Sequence, residues 1–157
     1  MMSYVLDTSS WSVVENYYPS RFPSFWSTFD AFVADGDILS VREAFRELGY
    51  QVRHAHLQDW IQRNRSIFLP PTPEETDFVS AIFAVPHFQA LIGVRQRFRS
   101  TPVADPFLIA SAHVRGICVV TEESLKPNAA KIPNVCQHFG VDWCNFEGLM
   151  TREGWSF

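Results

Sequence analysis

The chain has 157 residues, 46% of them hydrophobic, and a formal net charge of -4 at pH 7, which supports one domain (1–157) with a real core and is too short for two comfortable ones. No apolar run reaches membrane-spanning length and the opening residues lack the basic and long apolar regions of a secretory signal, so a cytoplasmic protein with no membrane contact is expected. The acidic balance weighs against a protein that coats nucleic acid through lysine and arginine, but not against a nuclease, whose metal-site carboxylates add negative charge themselves.

Tyr4, Val5 and Leu6 form a short apolar run of the kind found in buried strands, and it stops at Asp7, followed by Thr8, Ser9 and Ser10. In a parallel sheet the carboxyl ends of strands are where ligands bind, so an acid there is placed for chemistry. Asp7, Thr8 or Ser9 can equally cap the helix that follows. Trp11, Val14, Tyr17 and Tyr18 give that helix an apolar face, and Pro19 ends it. Residues 21–35 read as a second helix with Phe22, Phe25, Trp26, Phe29, Phe32 and Val33 at helical spacing, a core face with a dimer or partner interface added. Gly36 suits the position after the helix, and residues 38–40 read as a strand parallel to the first through a right-handed crossover.

In VREAFRELG, Glu43 and Glu47 lie four apart on one helical face with Arg42 and Arg46 beside them, and Gly49 closes the helix. Such glutamates are ordinarily solvated. Here the helix follows the carboxyl end of a strand, which favours one of them, first Glu47, as a second acid at the edge that carries Asp7. Residues 54–65 suggest another helix through Leu57, Trp60 and Ile61, and residues 67–69 a strand or connector. Thr72 and Glu75 make a capping box around Pro73 at the head of a helix through Phe78, Val79, Ile82 and Phe83. Pro86 interrupts it, and a short helix runs to Gly93. The middle third, roughly 54–94, therefore reads as a helical arm, with His87 as a packing residue.

Residues 102–116, PVADPFLIASAHVRG, give the best-marked helix. Asp105 falls at the expected N-cap, Pro106 at the first helical position, and Leu108, Ile109 and Ala112 on one buried face. Ile117 to Val120 is a further buried strand, ending in Thr121, Glu122 and Glu123. A loop and short helix, an edge strand over 141–144 and a loosely ordered tail, 151–157, complete the chain. Cys118, Cys136 and Cys144 lack paired zinc spacing and read as reduced packing thiols. Arg53, Arg63, Arg65, Arg95, Arg97 and Arg99 are candidates for an RNA path.

Asp7, Glu43 or Glu47, Asp105, and Glu122 or Glu123 can be assembled at one edge. Carboxylates so gathered repel one another unless a divalent cation sits among them, and all-oxygen ligation favours Mg²⁺ or Mn²⁺. Such a site suits phosphodiester hydrolysis without a protein nucleophile. No glycine-rich loop follows the first strand, so no nucleotide cofactor is expected.

The succession LDTSS, SVREAFREL, ADPFLIASA and VVTEES resembles the PIN-domain nucleases, and ADPFLIASA with HFQALI before it resembles the PIN-like branch found as toxins beside antitoxin genes. The resemblance runs from Tyr4 to about Met150. It implies a three-layer α/β/α sandwich with a central, mainly parallel sheet. It implies Asp7 as the first metal-site acid with Ser9 as a nearby hydroxyl, Glu47 as the second acid with Glu43 as rival, and Asp105 as the third. Thr121 and Glu123 match the threonine and acid of a T-x-D pattern, with Glu in place of Asp. The implied activity is a metal-dependent endoribonuclease, a type II toxin held by a cognate antitoxin protein; the alternative is a PIN-like binding module that has lost catalysis.

Overall fold

A computed structural model describes residues 2–91 and 103–157. Arg95, Arg97, Arg99, the helix end expected at Gly93 and the head of the stretch at Pro102 lie outside the described residues. Five strands, β1 (Tyr4–Leu6), β2 (Ile38–Val41), β3 (Phe68–Leu69), β4 (Cys118–Val120) and β5 (Trp143–Cys144), form one sheet in the order β3-β2-β1-β4-β5. Every pairing is parallel, with Tyr4 opposite Ile38 on one side and Cys118 on the other. All strand carboxyl ends therefore share one edge. The winding direction reverses at β1, so Asp7, the residue after it, stands at the crevice where such sheets bind ligands.

The strands alternate between two cores. Tyr4, Leu6, Cys118 and Val120 pack into one cluster with Trp11, Phe25, Phe29 and Trp60, whereas Val5 and Val119 pack into another with Leu108, Ile109 and Ile132. The first cluster is covered by α1 (Thr8–Val14), α2 (Pro23–Ala34), α4 (Ala55–Arg63) and α8 (Phe146–Glu153). The second is covered by α5 (Pro73–Phe83), α6 (Ala104–Arg115) and α7 (Ile132–Phe139). Between β2 and α4, α3 (Arg42–Gln51) sends Leu48 to the first cluster and Ala44 to the second. This is the three-layer sandwich expected from the sequence.

Several local expectations are corrected. The second helix starts at Pro23, not Arg21, because proline suits the first helical position. Gly49 lies inside α3, which continues to Gln51. The middle third is helical, as expected, and packs into both cores: Leu57, Trp60 and Ile61 belong to the first, and Ile82, Phe88 and Leu91 to the second. The tail is anchored, not loose. Asn145 caps α8, Gly154 ends it at φ 68°, and Trp155 packs against the first core. The Thr72–Glu75 capping box forms in both directions, at 3.2 and 3.3 Å. His87 is exposed, its Nε2 3.2 Å from the Ala129 carbonyl.

Candidate metal site at the sheet's carboxyl edge

Asp7 is 4% exposed, and both its oxygens are engaged. Oδ1 accepts the Thr8 N–H at 2.7 Å, and Oδ2 accepts the hydroxyls of Ser9 at 2.6 Å and Thr121 at 3.0 Å. The two readings of Asp7 therefore coincide: it caps α1 and faces the edge crevice. Burial raises its pKa, and the hydroxyl and backbone donors pull it partly back.

Glu47, one turn of α3 beyond Glu43, reaches across to two other elements. Its Oε2 accepts the Thr8 hydroxyl at 2.7 Å and its Oε1 accepts the Ala104 N–H at 3.1 Å. This second bond corrects the sequence reading of α6. The N-cap is Val103, Ala104 is the first helical residue, and Asp105 and Pro106 follow. Asp105 does not cap its helix, because a glutamate from another helix serves the leading N–H instead. Burial raises the Glu47 pKa and the Asp7 charge adds to that, against the two hydrogen bonds.

Asp105 lies in the first turn of α6, partly exposed at the mouth of the crevice. Its pKa is raised well above the ordinary carboxylate value, first by burial and then by the charges of Asp7, Glu123 and Glu47, with Lys131 opposing. Among the described residues no hydrogen bond holds its carboxylate. The charges of three acids from three other chain segments thus act on Asp105.

The two acids after β4 part company. Glu122 Oε2 accepts the Ser10 hydroxyl at 2.9 Å and the Phe146 N–H at 3.0 Å, which ties α1 to α8. Glu123 Oε2 accepts the Ile132 N–H at 2.9 Å and its charge reaches Asp105. Thr121 links both sides, donating to Asp7 and accepting the Glu123 N–H at 3.1 Å. Ser9 accepts the Glu122 N–H at 3.0 Å. Glu43 is fully buried with Oε1 3.4 Å from Arg42; its Oε2 has no hydrogen-bond partner among the described residues. Contacts to Thr8 and to the head of α6 belong to Glu47, not to Glu43.

The donor set is all carboxylate and hydroxyl, which suits a hard divalent cation. Among the described residues, no three His, Cys, Asp or Glu side chains are grouped so as to hold a metal ion as they stand. Asp7, Glu47 and Glu123 are positioned by protein donors, whereas among the described residues none donates to the Asp105 carboxylate. Lys131 was not read from the sequence, and Thr8 was read only as a possible helix cap, not as a donor to Glu47. Thr8 carried a signal, as one of three hydroxyl residues after Asp7; Lys131 carried none.

A family profile described as "Domain of unknown function (DUF4411)" matches residues 4–157. No curated protein matches the chain by sequence. Among solved structures, VapBC2 from Rickettsia felis, crystallised bound to a DNA fragment from its promoter, is similar with a TM-score of 0.50. The two are 13% identical, and the likeness covers 92% of this chain and 99% of that one. The likeness is one of fold, the PIN-like sandwich. No helix among the described residues is long and apolar enough to cross a membrane.

Proposed function

The chain belongs to the DUF4411 family, and from that premise and the acidic crevice we propose that it is a divalent-metal-dependent endoribonuclease, the toxin of a type II pair with a cognate antitoxin. The observation that carries this reading is Asp105: a carboxylate with a raised pKa, in the field of Asp7, Glu47 and Glu123, at the switch point of a parallel sheet. Asp7, Glu47, Asp105 and Glu123 would hold Mg²⁺ or Mn²⁺, which when bound supplies positive charge to a phosphodiester and acidity to water. Ser9 and Thr121 keep the Asp7 carboxylate oriented. Attack of water in line with the departing 3′ oxygen leaves a 5′-phosphate and a 3′-hydroxyl, and the 2′-hydroxyl takes no part. Arg53, Arg63 and Arg65, with exposed Tyr18 and Tyr50, are proposed to guide single-stranded RNA toward the crevice.

The test is cleavage of a mixed RNA pool by the purified chain, without antitoxin, in EDTA, Mg²⁺ and Mn²⁺, beside Asp105→Asn. Cleavage by the wild type alone, only with a divalent ion and with 5′-phosphate ends, supports the proposal. Equal cleavage by both proteins refutes it. A second reading, a binding module without catalysis, is favoured by the protein donors already placed on Asp7, Glu47 and Glu123. It gains if neither protein cleaves under any of these conditions.

A further inference from the structure

Away from the acidic crevice, two thiols face each other. Cys118 Sγ on β4 and Cys144 Sγ on β5 are 3.7 Å apart, on the sheet face that carries the first core. Cys118 is buried and Cys144 half-buried. Arg152 places Nη1 3.3 Å from the Cys118 sulfur while Asp142 grips the same guanidinium at 2.7 and 3.2 Å. The shared S–H···S contact and the Arg152 charge ease loss of the pair's first proton, and the second is held firmly. The third cysteine belongs to the opposite core, where burial pushes the Cys136 thiol up to about 12.

The pair is wired to the crevice through one peptide. The Cys144 carbonyl accepts the Thr121 N–H at 2.9 Å, and Thr121 is the residue whose hydroxyl donates to Asp7. Register adds a constraint. Cys144 pairs with Val120, two residues beyond Cys118, so the two Cα atoms are roughly 8 Å apart by ordinary strand spacings. A relaxed disulfide has a Cα separation of about 4.4–6.8 Å. Bonding therefore requires β5, a two-residue strand at the sheet edge, to slide along β4.

We propose that Cys118 and Cys144 form a reversible disulfide on exposure to a peroxide, and that closing it draws β5 along β4 and loosens the Thr121 anchor of Asp7. The Cys144 thiolate attacks one peroxide oxygen; the O–O bond breaks, and the departing hydroxide takes up a proton as water. The Cys118 sulfur then attacks the sulfenic sulfur, loses its proton and expels the second oxygen as water. Two thiols are oxidised and one peroxide is reduced to two waters. A strained bond of this kind is readily returned to thiols by an external thiol. Bond formation is independent of the nuclease reading; only an effect on cleavage would rest on it.

The experiment treats the intact chain with hydrogen peroxide, quenches with an alkylating agent and maps peptides without reduction. Expected are a linked Cys118–Cys144 peptide, alkylated Cys136, and full reversal by dithiothreitol. In the same samples Thr121 amide exchange should accelerate about fivefold, the scale of losing one net hydrogen bond. Cys144→Ser should show neither change. Overoxidised or unreacted Cys118 and Cys144, a link to Cys136, or a 118–144 link that leaves Thr121 exchange unmoved would each overturn the proposal. Failure of RNA cleavage in the reduced protein bears on the nuclease reading alone.

Discussion

Replacing Asp105 with asparagine should stabilise the metal-free protein, the reverse of what most substitutions in a packed site do. Asp105 lies in the field of Asp7, Glu123 and Glu47, with Lys131 opposing. At an effective dielectric of about 20, like charges gathered in one pocket cost each other on the order of 2 kcal/mol apiece. Lys131 offsets about one of the three, and shared protonation relieves part of the remainder. Asparagine also forfeits the roughly 0.3–1 kcal/mol that an acid gains in the first turn of a helix. A net gain of about 1–2 kcal/mol remains, or roughly 2–8 °C in Tm for a domain of this size. The pH dependence has a fixed sign. Asp7, Glu47 and Asp105 all have raised pKa values, so the folded state binds more protons than the unfolded chain between the ordinary carboxylate range and the raised values. Stability therefore falls as pH rises through that window. Thermal unfolding followed by circular dichroism in EDTA should show this decline in the wild type and a shallower one in Asp105→Asn. With Mg²⁺ or Mn²⁺ at about a hundred times Kd the wild type gains about 2.7 kcal/mol by linkage; the variant gains less, and their order inverts. A variant less stable than wild type in EDTA at neutral pH would refute the reasoning, as would a wild-type Tm that rises with pH.

Three further outcomes follow from particular contacts. Glu122→Ala removes the acceptor shared by Ser10 and the Phe146 N–H; denaturant unfolding should register a loss of about 1–3 kcal/mol, while metal-dependent stabilisation is retained. Trp11→Ala empties the place where rings of Phe29, Trp60 and Phe68 meet, at centroid distances of 5.9, 5.4 and 5.5 Å, and should cost about 3–5 kcal/mol in the same assay. At Gly116 an added Cβ would meet nothing within 4 Å, but φ is +68°; Gly116→Ala should therefore cost about 1–2 kcal/mol from backbone conformation alone, and a neutral result would show that the turn relaxes.

The sheet was legible because its central strands are buried on both faces. Tyr4–Leu6 and Cys118–Val120 are unbroken apolar runs, and the acids that follow them are consequences of where those runs stop. What the sequence hid were partners distant along the chain. Asp105 had the residue type and the following proline of an N-cap, but Glu47, 57 positions before Ala104, had taken the helix's leading N–H. Glu122 and Glu123 follow the same strand and, the T-x-D resemblance apart, are told apart by which helix start each reaches, Phe146 or Ile132. The tail is a different failure. Asn145 and Gly154 bracket α8 with ordinary start and stop signals, and these local cues were outweighed by position at the chain's end.

One arrangement explains how so many acids can share this edge. Asp7 accepts the first N–H of α1, Glu47 that of α6, Glu123 that of α7 and Glu122 that of α8. Each of these N–H groups belongs to a helix terminus with partial positive charge and no intrahelical acceptor. Four carboxylates thus serve four helix starts, and each contact offsets part of the repulsion that gathering them creates, on the order of 0.3–1 kcal/mol apiece and more where burial is deep. Asp105 is placed differently. It sits within the first turn of α6, next to a leading N–H already taken by Glu47, and its pKa is raised first by burial and then by the charges of Asp7, Glu123 and Glu47. The same packing that sets Asp7, Glu47 and Glu123 at helix starts as structural caps therefore brings their charges to bear on one side chain. A cation held by Asp105 together with these three acids would relieve that field, so fold stability and metal affinity should respond in opposite directions to replacement of Asp105.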